Sequence, residues 1–158
     1  ETARRVYAWC AAYWPTAAQV WWGGNYYADA LPASSCWLVW NKENGDNHFA
    51  DCELAWTNQK TAVRLFTHRW NGMLRASERQ RRWHPTQKPV ALAVWAFEKY
   101  SQEADRIFDP FAGAGMSLCA AEQTKRIACG VEYEASYIAV ILERLADMGL
   151  SPRRESEG

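Results

Sequence analysis

The chain has 158 residues, a mass of 18.1 kDa and 49% hydrophobic residues, so it can bury a core, and wholesale disorder is excluded. Its 18 Lys and Arg balance 18 Asp and Glu, which excludes a globally basic nucleic-acid coat but leaves room for a local basic patch. No apolar run approaches the ~20 residues of a membrane span and no secretory leader pattern is present, so we predict a cytoplasmic protein without a membrane partner.

The first part of the chain predicts a helix followed by short strands. Apolar residues at helical spacing occupy residues 1–14, and the run "CWLVW" is typical of a strand that is covered on both faces. The predicted elements are a helix at 1–14, a strand at 19–22, a short helix at 25–31, and strands at 36–40, 52–57 and 62–66.

A basic segment follows these strands. Six arginines between residues 64 and 82 stand against a single acid, Glu78, and the apolar spacing is weak. We therefore predict a mobile basic loop at 67–83, in which arginines would contact phosphates or base edges. The alternative is a solvated charged loop. His68, at its start, is predicted to be isolated and solvated.

The remaining chain predicts the order helix, strand, helix, strand, helix. The segments are 90–100, with Pro89 at the first helical position, then 106–108, 116–123, 126–131 and 135–148. This order is a βαβ unit and predicts an α/β protein with a parallel, doubly wound sheet. Residues 1–150 are predicted to form one domain, and residues 151–158 a disordered tail.

The strand at 106–108 runs into the glycine-rich turn "DPFAGAG" at 109–115. Glycine lets the backbone approach a ligand closely, and a carboxylate 23 residues later, Glu132, can accept hydrogen bonds from ribose hydroxyls. No Gly-Lys-Ser/Thr follows, and Leu118 interrupts a dinucleotide pattern. Because Asp109 is acidic, the turn favours a cationic nucleoside cofactor such as S-adenosyl-L-methionine; the alternative is a turn used only for packing.

With "HPTQKP" about 20 residues upstream, "DPFAGAG" resembles the motifs of DNA amino-methyltransferases, which methylate adenine N6 or cytosine N4. The segment "GVEYEASYIAVILERL" is similar to their ribose-binding segment. The segments "VWWGGNYYADALP", "CWLVWNKENG" and "FADCELAWT" resemble phage-type members in the beta-group motif order. The resemblance implies a Rossmann-like methyltransferase sheet, with a substrate half at 1–66, a short basic target-recognition insertion at 67–83 and a cofactor half at 84–150. It further implies restriction-modification methylation of double-stranded DNA by base flipping, with adenine N6 favoured over cytosine N4.

The resemblance also assigns site residues. Those implied to bind the cofactor are Thr86, Lys88, Pro89, Asp109, Pro110, Phe111, Ala112, Gly113, Gly115, Glu132 and Tyr133. Those implied to contact DNA are Trp22, Asn25, Arg64, Arg69, Trp70, Arg75, Arg79, Arg81 and Arg82. Tyr133 could equally pack in a core, and Thr86 could simply cap the next helix. Trp22 and Asn25 could serve only strand-end packing.

The family's catalytic Pro-Pro motif is absent from these 158 residues, so the catalytic residues stay unknown. The motif order places it before residue 1, and we expect the chain to be a fragment or a degenerate or split member. Alternatives are a non-catalytic cofactor- or DNA-binding subunit beside a catalytic partner chain, a homodimer, or a methyltransferase acting on RNA. Five scattered cysteines without a Cys-x-x-Cys pair predict no metal and mostly buried, reduced thiols.

Overall fold

The computed structural model describes residues 1–45, 48–71, 74–77 and 87–151. The chain forms two compact units, Glu1–Arg79 and Gln80–Gly158, called the N-terminal and C-terminal units below. The grouping of residues 1–150 into a single domain stays a prediction.

A four-stranded mixed sheet with helix α1, Thr2–Tyr13, forms the N-terminal unit. The sheet order is β1-β3-β2-β4, with β3 antiparallel to both neighbours and β4 parallel to β2. The carboxyl ends of β1, β2 and β4 therefore face the same edge of the sheet. The strands are β1 Val20–Trp22, β2 Trp37–Asn41, β3 Cys52–Thr57 and β4 Arg64–Thr67, and a 3-10 helix spans Gly24–Ala30.

Aromatic residues hold this unit together. The ring of Tyr7 on α1 packs edge-on against Trp21 and Trp56, each with ring centroids 5.5 Å apart. Alternate residues of β2, Leu38 and Trp40, are buried, whereas the residues between them are only half-buried. The strand was predicted to be covered on both faces; one face carries the core, and the other is partly covered.

The described part of the basic segment contains regular structure where we predicted a mobile loop. Strand β5, Trp70–Asn71, pairs antiparallel with β6, Leu74–Arg75. The backbone N–H of His68 donates to the carbonyl of Asn41 at 3.0 Å, which continues the pairing with β2 beyond the end of β4. The segment thus leaves the sheet as an extension of its strands.

The C-terminal unit has the predicted α/β order. Parallel strands β7, Arg106–Asp109, and β8, Ile127–Gly130, alternate with three helices. The helices are α2 Val90–Tyr100, α3 Met116–Gln123 and α4 Ala135–Asp147. A core of Val90, Ala93, Cys119 and Ala120 joins α2 to α3, and Leu145 and Met148 pack against it. These elements confirm the α/β class.

All five cysteines are free thiols, three of them buried, and Cys52 and Cys129 are exposed. Over the described ranges, no helix is both long and apolar enough to cross a membrane. In the same ranges, no group of three or more His, Cys, Asp or Glu side chains is arranged to hold a metal ion.

Candidate functional site

The carboxylate of Asp109, the last residue of β7, is held by two donors. Its Oδ1 accepts a hydrogen bond from the backbone N–H of Phe111 at 2.9 Å. Its Oδ2 accepts a hydrogen bond from the hydroxyl of Ser117 on α3. Because each oxygen has a donor of its own, the carboxylate has a defined orientation at the start of the glycine turn.

Glu132 follows the parallel neighbour β8 and is held in a similar way. Its Oε2 accepts from the backbone N–H of Gly113 at 2.9 Å, and its Oε1 accepts from the N–H of Glu134 at 2.9 Å. The N–H of Val131 also donates to the carbonyl of Asp109 at 2.8 Å. The turn after β7 and the turn after β8 are thus joined, with both acids at the carboxyl edge of the strands. Open α/β sheets bind ligands at this edge.

The two glycines of the turn have different tasks. Both are in the left-handed region, with φ +52° at Gly113 and +76° at Gly115. Among the described residues, a Cβ on Gly113 would meet only the carbonyl oxygen of Phe111, 4.0 Å away, so the space beside it is open. A Cβ on Gly115 would lie 3.0 Å from Cγ1 of Ile141, so this glycine lets α4 pack against the turn.

Two aromatic rings flank the acids. Tyr133, next to Glu132, is 95% exposed, and Phe111 is 48% exposed. The alternative that Tyr133 packs in a core is therefore wrong, and its ring is available for stacking on a ligand. Within the turn, Ala112 is buried and Pro110 is half-buried, so these two residues present less surface to a ligand than the two rings do.

The predicted cofactor residues before α2 are only partly described. Lys88 is half-buried. Pro89 is fully buried and is the N-cap of α2, with φ −68° and ψ 142°, one residue before the predicted position. It presents almost no surface to a ligand, and its fixed φ suits the entry to the helix. Thr86 lies outside the described residues.

The predicted DNA contacts divide between the two ends of the sheet in the N-terminal unit. Trp22 ends β1 and is half-buried, and Asn25 follows it, exposed, in the 3-10 helix. Arg69 and Trp70 come after the carboxyl end of β4, at the same edge. Arg64 starts β4, and the three residue steps of the strand place it about 10 Å away, toward the opposite edge. Three further arginines lie outside the described residues: Arg79, Arg81 and Arg82. The side chain of Arg75 is also outside the described part of the structure.

His68 is not solvated as predicted. Its ring stacks on Phe66, with centroids 5.6 Å apart, and its Nε2 lies 3.0 Å from the hydroxyl of Ser77. The indole N–H of Trp40 donates to its carbonyl at 3.0 Å. Alternate residues of an extended chain share one side, which brings Phe66, His68 and Trp70 into a row.

Sequence reasoning missed two residues that fix the turn. Ser117 is 4% exposed and bonds to Asp109, as described above. Arg144 on α4 donates from its guanidinium to the carbonyl of Ala114, between the two glycines. Ser117 could have been identified from its place in the first turn of α3, directly after the glycine turn. Nothing local in the sequence marks Arg144 as a hydrogen-bond partner of Ala114, 30 positions earlier.

Residues 11–143 match the family described as DNA methylase, which is more than four-fifths of the chain. The chain belongs to this DNA methylase family. Among curated relatives, it is 33% identical over 79 residues to the type II methyltransferase M2.DpnII of Streptococcus pneumoniae. It is 34% identical over 77 residues to M2.LlaDCHI of Lactococcus lactis subsp. cremoris. Each alignment covers 48% of this chain and 29% of the relative, so the matched part spans under a third of those proteins.

Solved structures show the same fold. A crystal structure of an M1.HpyAVI–SAM complex superposes with a TM-score of 0.60 at 23% identity, covering 81% of this chain and 74% of the other. The cytosine-N4-specific PvuII DNA methyltransferase superposes with a TM-score of 0.57 at 16% identity, covering 74% of this chain and 52% of the other. The α/β methyltransferase fold expected from the sequence is thus confirmed, but the sheet of the N-terminal unit is mixed where we predicted a parallel one, because β3 runs antiparallel to both of its neighbours.

Proposed function

We propose that this chain forms most of an S-adenosyl-L-methionine-dependent enzyme that methylates an exocyclic amine of a base in double-stranded DNA. The observation that carries the proposal is the pair of oriented carboxylates, Asp109 and Glu132, joined across the carboxyl edge of two parallel strands through Gly113. Membership of the DNA methylase family and the SAM complex of the similar M1.HpyAVI fold support it.

The described residues of the turn fit S-adenosyl-L-methionine chemically. Glu132 has lone pairs beyond those that its two backbone donors use, and these can accept hydrogen bonds from ribose hydroxyls. Asp109 supplies negative charge for a cofactor that carries ammonium and sulfonium groups. The open space beside Gly113 admits a ligand, and the exposed ring of Tyr133 offers a stacking surface for adenine.

In the N-terminal unit, we assign DNA contact to the sheet edge that carries Trp22, Asn25, Arg69 and Trp70. Arg69 is exposed and can pair with a phosphate, and aromatic rings can stack on a base that has left the helix. Base flipping follows from the chemistry, since the exocyclic amine of a paired base is not accessible to a cofactor. Adenine N6 is favoured over cytosine N4 because the middle segments resemble phage-type members.

A bound S-adenosyl-L-methionine, which Asp109 and Glu132 would hold, would supply a methyl group for transfer to the amine nitrogen, with S-adenosyl-L-homocysteine as the leaving group and one amine proton passing to solvent. The contribution of the described residues is to bind and orient. Asp109 and Glu132 are oriented by hydrogen bonds from the protein itself, and such preorganisation lowers the cost of reaching a reactive geometry. No residue of this chain is assigned to the amine itself.

The test is methyl transfer from labelled S-adenosyl-L-methionine to unmethylated duplex DNA, followed by digestion to nucleosides. For a protein that carries this chain together with the Pro-Pro motif, label on N6-methyladenine is expected, and Glu132→Ala is the control that should remove it. Label on N4-methylcytosine would keep the function and correct the atom. Label on RNA but not DNA would favour an RNA methyltransferase. Cofactor binding without transfer to either would favour a non-catalytic subunit beside a catalytic partner chain.

A further inference from the structure

Ser117 is the second residue of α3, and its hydroxyl is buried. A buried serine inside a helix commonly donates to the carbonyl four residues earlier. Ser117 instead donates to Oδ2 of Asp109, eight residues earlier and at the end of β7. Its bond therefore connects the two ends of the glycine turn, across the whole segment that would hold the cofactor.

This bond fixes a torsion that is otherwise soft. Rotation of an aspartate carboxylate about χ2 has a broad, roughly two-fold preference, so a single donor leaves it poorly defined. The N–H of Phe111 on Oδ1 and the hydroxyl of Ser117 on Oδ2 select one orientation. Each oxygen keeps a second lone pair, which stays available to a cationic ligand.

The other acid of the site needs no such residue. Both oxygens of Glu132 accept from backbone N–H groups, those of Gly113 and Glu134. A side-chain substitution elsewhere does not remove these donors. At Asp109, one of the two donors is a side chain, so its orientation depends on the residue at position 117.

We propose that Ser117 is a positioning residue for S-adenosyl-L-methionine: it acts through Asp109 by holding that carboxylate in its binding orientation. The inference rests on the proposed function, because it takes the turn as the cofactor site. It adds a determinant of cofactor affinity that lies inside the fold and does not itself touch the ligand.

The dissociation constant of S-adenosyl-L-methionine, measured by calorimetry on the whole chain, tests this. Ser117→Ala is expected to weaken binding about tenfold, as for the loss of one hydrogen bond to a charged group. Ser117→Thr keeps the hydroxyl and should restore most of the affinity. Ser136→Ala is the matched control, since Ser136 also donates a hydroxyl to a carboxylate, that of Glu134, but at the exposed start of α4. It should leave the dissociation constant unchanged.

A double variant separates positioning from mere support of the fold. In an Asp109→Asn background, adding Ser117→Ala should change binding less than twofold, because the carboxylate through which Ser117 acts is already gone. An equal tenfold loss in both backgrounds would overturn the proposal. If Ser117→Ala does not fold, Ser117→Cys, which keeps the volume but donates weakly, takes its place in the same comparison.

The failure of this inference and that of the proposed function are distinguishable. If Asp109→Asn binds weakly and Ser117→Ala binds like the wild type, only the inference is wrong. If the wild type itself binds no S-adenosyl-L-methionine, or if Asp109→Asn and Glu132→Ala bind as well as the wild type, the turn is not the cofactor site and both are wrong.

Discussion

The glycine turn of the C-terminal unit and the basic segment of the N-terminal unit were both singled out by their sequence, and they differ in how their groups are held. In the turn, backbone N–H groups and one hydroxyl fix two carboxylates. In the basic segment, the arginine at 64 starts a strand and that at 69 follows its end. A motif whose function depends on backbone groups therefore predicts where its side chains lie in the fold. A run of charged residues does not predict where each charge lies.

The largest effect is expected at Glu132. Glu132→Ala should weaken S-adenosyl-L-methionine binding about 100-fold, because two hydrogen bonds from ribose hydroxyls to a charged acceptor are lost. Calorimetric titration measures it. Glu122→Ala, which removes an exposed carboxylate from the end of α3, is the control and should bind like the wild type. Equal affinities of the two variants for S-adenosyl-L-methionine would show that Glu132 does not bind the ribose hydroxyls.

The next effect concerns stability and contrasts two glycines of the same unit. Gly115→Ala should lower the free energy of unfolding by about 2 kcal/mol, from a strained left-handed φ and from contact of the new Cβ with Ile141. Gly149 has φ +83°, but a Cβ there would meet none of the described residues within 4 Å, so Gly149→Ala should cost about 1 kcal/mol. Denaturant titrations followed by circular dichroism measure both, and equal costs would mean that α4 yields to the added methyl group.

Among the arginines at 64–82, Arg69 and Arg64 lie at opposite ends of β4 and test which edge of the sheet contacts DNA. Arg69→Ala should reduce the slope of log K against log salt for duplex DNA by about 0.9, the value for one phosphate contact. Arg64→Ala should leave the slope nearly unchanged, because Arg64 starts β4 toward the opposite edge of the sheet. Fluorescence anisotropy at several salt concentrations reads both, and a larger effect of Arg64 would place the DNA at the other edge.

The smallest effect is a pH dependence in the N-terminal unit. The guanidinium of Arg4 donates to both oxygens of Asp29, at 2.5 and 2.7 Å, and this hydrogen bonding lowers the pKa of Asp29. A lowered folded-state pKa stabilises the fold above the unfolded pKa of about 3.9, and this contribution is lost as pH falls through the folded-state pKa. Asp29→Asn should therefore flatten the decline of the urea midpoint below about pH 4. If the urea midpoint falls below about pH 4 as steeply in Asp29→Asn as in the wild type, other carboxylates cause the decline.

The helices of the C-terminal unit were predictable almost residue by residue. The spacing at 90–100 and 116–123 gave the bounds of α2 and α3 as they are found. Local signals suffice there, because the apolar periodicity and the glycine-rich turn at 109–115 coincide with tertiary packing.

The remaining differences depend on side-chain and backbone contacts that form only when the chain folds. His68 pairs with Ser77 and lies against Phe66, and its backbone continues the bonding of Asn41, 27 residues earlier. Strands β5 and β6 are two residues each, too short for a periodic pattern. Likewise, the hydrogen bond from Ser117 to Asp109 forms because the turn brings the two residues together, and the types of residue in the turn do not predict it.

The pattern of free thiols gives each unit its own chemical handle. Cys52 and Cys129 are exposed, one in each unit, while the other three cysteines are buried. Thiol-directed reagents should therefore react with two sites in the native protein and with five after denaturation. A fluorophore pair attached at these two positions would report the separation of the units in solution, with and without DNA, and no residue would need to be introduced.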